Sequence, residues 1–524
     1  MRPPQWQPPV ALSAGEQRVV ARIKRAKLFV FLRQVRHELF DATFQDELAT
    51  IFRDSPEGAC PIPPAQLALV TILQAYTGAS DDEALEATTM DRRWQLALDC
   101  LDSETAPFGK GTLVRFRAAL IEHDLDRRLI ERTVELARQH GGFGARQLRA
   151  ALDSSPLWGA GRVEDTYNLL GHALRKALGV LARQQGRGLA ELAGEAGAGV
   201  VGGASLKAAL DLDWDEPAAR EQALRQVLGA LDRAEAWLAG QPGAADAPTV
   251  QAGLAAAHEV RAQDVVHGDD GAPQLRQGVA AERRISVEDG AMRHGRKSRS
   301  QLVDGYKRHV LCDVATTLVH AVGVTPANTP EASVTDAIAA DLRQQGVELT
   351  ELHIDRAYLP STLVRERPPG LAIYGKAWPV QAGPHFPKTA CTLDWDAGAI
   401  RCPTGVTSPF TPGGVVQFPA ATCAACPLRE RCTRSAQGRS VAIHPDERLL
   451  QELRERQHTP AGRAKLRERV AVEHTLAHVG YWQGDRARYL GQRQNLFDVR
   501  RTGVVHNLHL LQRQRADGPV AEAA

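Results

Sequence analysis

The chain has little of what defines several other classes of protein. Only 8 of its 524 residues are cysteine, which argues against a disulfide-stapled secreted scaffold. No apolar run approaches the roughly 18 residues of a membrane-spanning helix. The first ten residues, MRPPQWQPPV, lack the apolar core of a signal peptide. We therefore expect a cytoplasmic protein without membrane contact.

The chain also lacks an excess of charge of one sign. Its formal net charge is +2 at pH 7, so any surface for nucleic acid has to be local. The apolar fraction of 43% and the charged fraction of 24% are ordinary for globular proteins. A length of 524 residues suits two to four domains.

Positive charge is concentrated in two segments. Six Lys or Arg lie between Arg293 and Arg308, against one acid. Nine lie between Arg463 and Arg501, against four acids. Apolar residues recur at helical spacing around Glu473, which predicts an amphipathic helix with Arg469 and Glu473 on one face. This pair is either a solvated ion pair or part of a cation site beside bound phosphates.

Two more acids follow predicted strands. The segment before Asp153 reads as a strand that ends at this residue and leads into a Ser-Pro loop. Asp153 is therefore either a catalytic carboxylate or a turn residue. A second strand, over 347–354, ends at Asp355, and a helix begins near Pro360. Between them, 306–314 and 318–324 predict a β-hairpin, which is followed by a helix over 331–345.

The remaining segments are helical or rich in cysteine. The pattern over 16–140 predicts helices, and the helices near Trp94 and Lys110 are either a helix-turn-helix pair or part of a plain bundle. Residues 164–262 predict further helices without strands. Four cysteines have spacings that suit either tetrahedral Zn²⁺ or reduced thiols, with Cys391 as a spare candidate. These four are Cys402, Cys423, Cys426 and Cys432.

Together these stretches resemble the DDE transposases of bacterial insertion sequences, over nearly the whole chain. The most specific ones are 295–328, HIDRAYLP at 353–360, the cysteine block from Cys423, and RERVAVEHTLAHV at 467–479. The resemblance implies an α/β fold: an RNase H-like mixed-sheet core with an N-terminal helical domain, a helical insertion and a small Cys-rich insertion.

The predicted boundaries follow from the same comparison of segments. Residues 1–145 form an N-terminal helical domain that is a candidate for DNA binding. The catalytic core combines 146–163, 283–383 and 446–515. A helical insertion covers 164–282, and the Cys-rich insertion covers 384–445.

The resemblance also assigns roles to single residues. It makes Asp153, Asp355 and Glu473 the catalytic acids that bind Mg²⁺ or Mn²⁺, which prefer carboxylate oxygens. Arg469 matches the arginine of the family's Y-x-x-R-x-x-x-E pattern, whereas Leu466 stands at its tyrosine. Gly480 stands where the pattern has a lysine, and Arg486 or Arg488 is the expected replacement. The residues predicted to bind DNA are Arg296, Lys297, Arg299, Lys307, Arg469, Arg486 and Arg488.

The activity implied is metal-dependent cleavage of DNA at element ends, followed by strand transfer to a target. A homodimer on the DNA is the implied assembly. Two alternatives stay open: an inactive DNA-binding relic, and a nuclease that hydrolyses DNA without joining it. We expect His309 and His353 to support the site through hydrogen bonds, because Mg²⁺ seldom binds imidazole.

Overall fold

The computed structural model describes residues 2–52, 60–140, 143–144, 146–244, 247–297, 300–380 and 383–517. Its α-helices are α1 (Ala14–Arg22), α2 (Lys27–Leu39), α3 (Ala42–Ala49), α4 (Pro64–Thr77), α5 (Asp81–Met90), α6 (Arg92–Leu98), α7 (Lys110–Glu122), α8 (Leu125–His140), α9 (Thr166–Gln185), α10 (Leu189–Glu195), α11 (Leu206–Leu210), α12 (Pro217–Ala239), α13 (Pro248–Asp264), α14 (Thr335–Gln344), α15 (Thr362–Arg365), α16 (Ala420–Ala424), α17 (Arg429–Cys432), α18 (Glu447–His458), α19 (Pro460–Glu468), α20 (Val470–Gln483) and α21 (Gln492–Asp517).

The strands are short outside the central sheet. They are β1 (Gln147–Trp158), β2 (Val265–His267), β3 (Pro273–Leu275), β4 (Arg293–Arg296), β5 (Leu302–Asp313), β6 (Val319–Pro326), β7 (Glu348–Ile354), β8 (Ala372–Tyr374), β9 (Thr392–Asp394), β10 (Ala399–Arg401), β11 (Thr407–Pro409), β12 (Val415–Gln417) and β13 (Ser440–Ala442). Four 3₁₀ turns complete the structure: Gly199–Val201, Glu331–Val334, Arg356–Tyr358 and Lys388–Ala390.

The central sheet is mixed and has six strands. Its order is β4-β5-β1-β7-β8, and β6 pairs with β5. β1, β7 and β8 are parallel, whereas β5 is antiparallel to β1, β4 and β6. The hairpin of β5 and β6 and the helix that follows it lie where the sequence predicts them. The predicted α/β class, with a mixed sheet and an N-terminal helical region, is confirmed.

The predicted end of the first strand at Asp153 is wrong. β1 continues through Pro156 to Trp158, paired with β5. Its pairing with β7 stops at Leu152 and Ile354, so this edge of β1 is unpaired from Asp153 to Leu157, before Trp158 forms a bridge with Arg486. A proline has no N–H to donate, and it is tolerated where one strand edge is free of a ladder.

Alternation along the strands decides which face carries the acids. Leu152 and Ile354 are paired neighbours and belong to one buried cluster, together with α14 and α18. The residues that follow, Asp153 and Asp355, therefore point to the opposite face. On that face Ala151 packs in a larger cluster that includes α20, α21 and the N-terminal helices. The sheet thus presents both acids toward the side that carries α20.

Residues between β1 and β4 fold mainly outside this sheet. Helices α9–α13 share a hydrophobic cluster of their own. The sequence predicts no strand here, yet β2 and β3 form a two-stranded hairpin whose turn has Gly271 at φ 76°. Asp270 and Gly271 form a common hairpin-turn pair, which the helical interpretation overlooked. Within the described residues, β2 and β3 pair only with each other. The predicted domain boundaries stay predictions.

The N-terminal and cysteine-rich parts are also separately organised. α6 and α7 are joined by residues 99–109, which is longer than the 3–4-residue turn of a helix-turn-helix motif. This length favours the plain-bundle interpretation of α1–α8. The cysteine-rich part has a three-stranded and a two-stranded sheet around a small apolar cluster. In the described ranges, no helix combines the length and apolarity that crossing a bilayer requires.

Candidate active site

Glu473 lies in the first turn of α20, which begins directly after Arg469. The helix exists because Val472, Leu476 and Val479 are buried in the main core. Glu473 is on the outer side of this stripe, and its side chain is about half exposed. The partial positive charge of a helix N-terminus favours a carboxylate at this position.

Arg469 connects two of the predicted acids. Its Nη2 donates to Oε1 of Glu473 over 2.8 Å. Its Nη1 donates a very short hydrogen bond to Oδ2 of Asp153. One guanidinium therefore occupies the space between a carboxylate on the sheet and a carboxylate on the helix. Asp153 and Glu473 are therefore two of the residues that would hold a metal cation.

The three predicted acids line a single open cleft of about 750 Å³. Asp355 follows β7 directly, and its Oδ1 accepts the backbone N–H of Arg356 at 2.7 Å. Oδ1 of Asp153 accepts the N–H of Ser154 at 2.8 Å. These backbone contacts fix one oxygen of each carboxylate, and the second oxygen of Asp153 is the one that accepts from Arg469. The catalytic roles of the three residues stay predictions.

Burial raises the pKa of the Asp153 carboxyl above its ordinary value. The charge of Arg469 and the Ser154 hydrogen bond act in the opposite direction, while Asp355 and Glu331 add to the rise. The ionised form of Asp153 is therefore costly unless a cation lies beside it. The site thus favours the binding of positive charge.

The donor set fits a hard divalent cation. The cleft offers carboxylate oxygens from three elements, which is the ligand chemistry of Mg²⁺ and Mn²⁺. The bridging Arg469 guanidinium shows that the acids accept a cation between them. The carboxylates are spread across an open cleft that also has room for waters and phosphate oxygens.

A tighter cluster of ligand atoms lies elsewhere. In the described part of the chain, one group of three or more ligand atoms lies entirely within 4.8 Å: those of Glu351, His353 and Glu468. Lys465 contacts both carboxylates, at 2.9 and 3.4 Å. Arg149 also pairs with both of them. Because two cations already neutralise these acids, we interpret the group as a structural ion-pair network.

The predicted DNA-binding residues do not all reach the cleft. A side branch of about 150 Å³ is lined by Arg296, Lys297 and Lys307, together with Asp153 and Asp355. Nζ of Lys307 donates to Thr329 O at 2.9 Å, so one of its N–H groups is already hydrogen-bonded within the protein. Arg299 lies outside the described residues.

The other two arginines lie apart from the acids. Arg486 and Arg488 are exposed, and their guanidinium groups contact the carbonyls of Ala160 and Trp482. Neither is among the residues that line the cleft. Another arginine, Arg308, lines the cleft beside Gly480, where the sequence comparison expected a replacement for the missing lysine.

Two further residues of the site, Glu331 and Arg308, are not apparent from the sequence. Glu331 lines the side branch and accepts a 2.9 Å hydrogen bond from Ser154 Oγ. Its position after Pro330 looked like an ordinary acid in a first helical turn. In the sequence, Arg308 is only one of the six basic residues between Arg293 and Arg308. In neither case does local sequence carry a signal for the long-range contact.

The two histidines beside the acids are buried. Nδ1 of His309 lies 2.8 Å from the Tyr358 hydroxyl, and Nε2 lies 2.9 Å from Thr325 Oγ1. Burial lowers the pKa of His309 to about 3, so the ring is neutral. His353 contacts Glu351 at 3.2 Å. Both rings act through hydrogen bonds to neighbouring side chains.

The four predicted zinc ligands line one small cavity of about 30 Å³. All eight cysteines are free thiols. Thr404 Oγ1 lies 3.2 Å from Sγ of Cys402 and 3.8 Å from Sγ of Cys426. Burial opposes ionisation of Cys402, but hydrogen bonds from Thr404, Val406 and Gly405 outweigh it and lower the pKa of the thiol. Cys423 and Cys432 complete the set.

Three family models match the chain. The description "Transposase domain (DUF772)" applies to residues 20–119. Two models described as "Transposase DDE domain" match residues 265–369 and 402–512. The matches together span more than half of the chain and include Asp355, Glu473 and the four clustered cysteines. No curated protein matches, and no solved structure does.

These matches agree with the mixed sheet and the cleft of three acids. They imply binding of DNA and, as in the family generally, use of a divalent metal. The chain belongs to the DDE transposases of insertion sequences.

Proposed function

We propose that this transposase cuts DNA at the ends of its element and joins the freed 3′-hydroxyl to target DNA. The observation that carries the proposal is the meeting of Asp153, Asp355 and Glu473 in one cleft. These residues come from a strand, a strand end and a helix that are far apart in sequence. Their convergence on an open, cation-accepting surface suits a phosphodiester substrate better than a small molecule.

In this proposal the three acids hold Mg²⁺ or Mn²⁺. When bound, a metal pair lowers the pKa of the attacking water or 3′-hydroxyl and stabilises the leaving oxygen. Asp153 and Asp355 present oxygens whose orientation is fixed by the N–H groups of Ser154 and Arg356. Glu473, half exposed on α20, has the freedom to adjust to the bound DNA.

Basic residues would guide the DNA toward the acids. Arg296, Lys297 and Lys307 line the side branch that opens beside Asp153 and Asp355. Arg469 pairs with the acids themselves, and the metal ions would release its guanidinium for a phosphate. We assign Arg299, Arg486 and Arg488 to the outer DNA path, since their charges add to the same basic segments. Two chains, one at each element end, would form the active complex.

We further propose that Cys402, Cys423, Cys426 and Cys432 bind a structural Zn²⁺. Four thiols around one small cavity provide the ligand set that tetrahedral zinc prefers. The hydrogen bonds to Cys402 favour its thiolate, which is the form that binds metal. Cys391 packs beside the same apolar cluster as a fifth thiol and is left out of the set.

The experiment uses the DNA that flanks the reading frame as substrate. With Mg²⁺, wild type is expected to give both cleaved ends and products joined to a target plasmid. Asp355→Ala is expected to give neither, while Arg187→Gln, in the helical insertion, keeps both. Cleavage without joining would identify a nuclease. Unchanged cellular effects of Asp355→Ala would point to a DNA-binding relic.

A further inference from the structure

Arg308 is a buried cation in the middle of β5. Its side chain is only 4% exposed. Nε donates to Ser155 Oγ at 2.7 Å, and Nη1 donates to Gln483 Oε1 at 2.9 Å and to Gly484 O at 2.8 Å. All of these acceptors are neutral. The guanidinium is therefore firmly oriented but not neutralised by them.

No strong counter-charge lies beside Arg308 within the described ranges. Its ion-pair contact is Asp485, 3.9 Å from Nη2 and 94% exposed, and such a pair is weak in water. Asp498 is more deeply buried, but Arg501 already holds it at 2.6 Å. Burial lowers the pKa of Arg308. A buried charge without a close partner is costly, and an external anion would relieve that cost.

The remaining donor, Nη2, lies beside Gly480 and Asp485, which both line the cleft of the three acids. Of the residues that the structure describes, none accepts a hydrogen bond from it. Arg308 lines this cleft next to Gly480. A Cβ at position 480 would lie 2.8 Å from Nη2, so any side chain there would crowd the guanidinium. Glycine at this position keeps the approach to Nη2 open.

We propose that Nη2 of Arg308 binds a phosphate oxygen of the DNA strand that crosses the acids. This inference rests on the proposed function and makes Arg308 a positioning residue for it. Three hydrogen bonds hold the guanidinium before DNA arrives, so little side-chain freedom is lost on binding. Arg469 differs, because its charge is shared between Asp153 and Glu473 in the absence of metal.

The test measures how binding to a short mixed-sequence DNA duplex depends on salt, with Mg²⁺ held constant. Arg308→Gln removes the charge, and Gly480→Ala keeps the charge but fills the space beside Nη2. Arg36→Gln is the matched control: Arg36 is equally buried, and it contacts Leu96 O, Ala97 O and Asp99 among the N-terminal helices. Thermal melting establishes that each variant is folded.

The expected result is a log–log salt slope lower by roughly 0.9 for Arg308→Gln, the value for one phosphate contact. Gly480→Ala should lower the slope in the same direction, whereas Arg36→Gln should leave it unchanged. A wild-type slope in folded Arg308→Gln overturns the inference. If that variant does not fold, an unchanged slope in Gly480→Ala overturns it instead. If the wild type binds DNA but neither cuts nor joins it, the proposed function is wrong. The phosphate contact of Arg308 would be unaffected by that result.

Discussion

Arg469 hydrogen-bonds Asp153 although the two residues are 316 positions apart in the chain. The contact ties the start of α20 to the central strand of the sheet. It also places a positive charge where the proposed metal ions would bind. Arg469 and a divalent cation should therefore compete for the same carboxylates.

Replacing Arg469 by Gln should strengthen metal binding while it weakens catalysis. The guanidinium no longer competes, so the affinity for Mn²⁺ should rise by roughly 3- to 10-fold, the equivalent of about 1 kcal/mol for a partly exposed ion pair. Calorimetric titration of the DNA-free protein measures this. Arg486→Gln is the control, because Arg486 is exposed and does not line the cleft. Weaker Mn²⁺ binding by the Arg469 variant would show that the arginine supports the metal site.

Metal stabilisation should depend on the ionisation of Asp153. Its pKa is raised by burial, so protonation begins at a higher pH than for an exposed aspartate. The rise in melting temperature caused by Mn²⁺ should be complete at neutral pH and should fall as the pH drops through this raised pKa. At neutral pH a concentration of 100 times Kd corresponds to about 2.7 kcal/mol.

Asp153→Asn is the matched variant for that titration. The amide keeps the shape of the side chain but does not ionise, so Mn²⁺ should stabilise it less, and the acidic step should disappear. If the wild type and the variant lose metal stabilisation over the same pH range, another group controls binding.

The cysteine cavity should hold close to one zinc ion per chain. Cys423→Ser should lose the metal and melt at a lower temperature, since zinc binding contributes to folding. Cys391→Ser and Cys60→Ser should keep it, because the first is outside the proposed ligand set and the second is exposed near the N-terminal helices. Elemental analysis and thiol titration of native protein measure both. A zinc content near zero with all thiols reactive would exclude the site.

The position of the second strand was predicted well from the sequence, for a physical reason. Val347, Leu352 and Ile354 are apolar and buried, whereas 348–351 between them are exposed or partly buried, and Asp355 directly follows Ile354. Such a signal is contained in one segment. The predicted helix around Glu473 had the same property, because its apolar stripe identifies the buried face.

The end of β1 was mispredicted because of Pro156. A proline ends a strand where both strand edges are hydrogen-bonded, but one edge of β1 is unpaired at Pro156. The open edge beyond Leu152 depends on where β7 stops, which is a property of the assembled sheet. The role of Arg308 was missed for a similar reason. Its partners Ser155 and Gln483 come from two other elements, so a basic residue in a strand looked like one charge among many.

Lys297 should contribute one phosphate contact to DNA binding. It is exposed and lines both the main cleft and its side branch. Lys297→Gln should lower the log–log salt slope by about 0.9 without changing the melting temperature. Arg187→Gln is its control, since Arg187 pairs with Glu191 and Glu195 in the helical insertion. Equal salt slopes in the two variants would show that Lys297 makes no phosphate contact.

Substitution of Glu473 separates DNA binding from cleavage and joining, and it tests the proposed metal site directly. Glu473→Gln removes one charge from the proposed metal site but keeps the size of the side chain and the helix that carries it. With DNA from the element flanks and Mg²⁺, we expect this variant to bind DNA about as well as the wild type. Cleavage and joining should fall by at least roughly 100-fold, as expected for loss of a catalytic metal ligand. Cleaved and joined products at the wild-type rate would contradict the assignment of Glu473, and with it the metal site formed by the three acids.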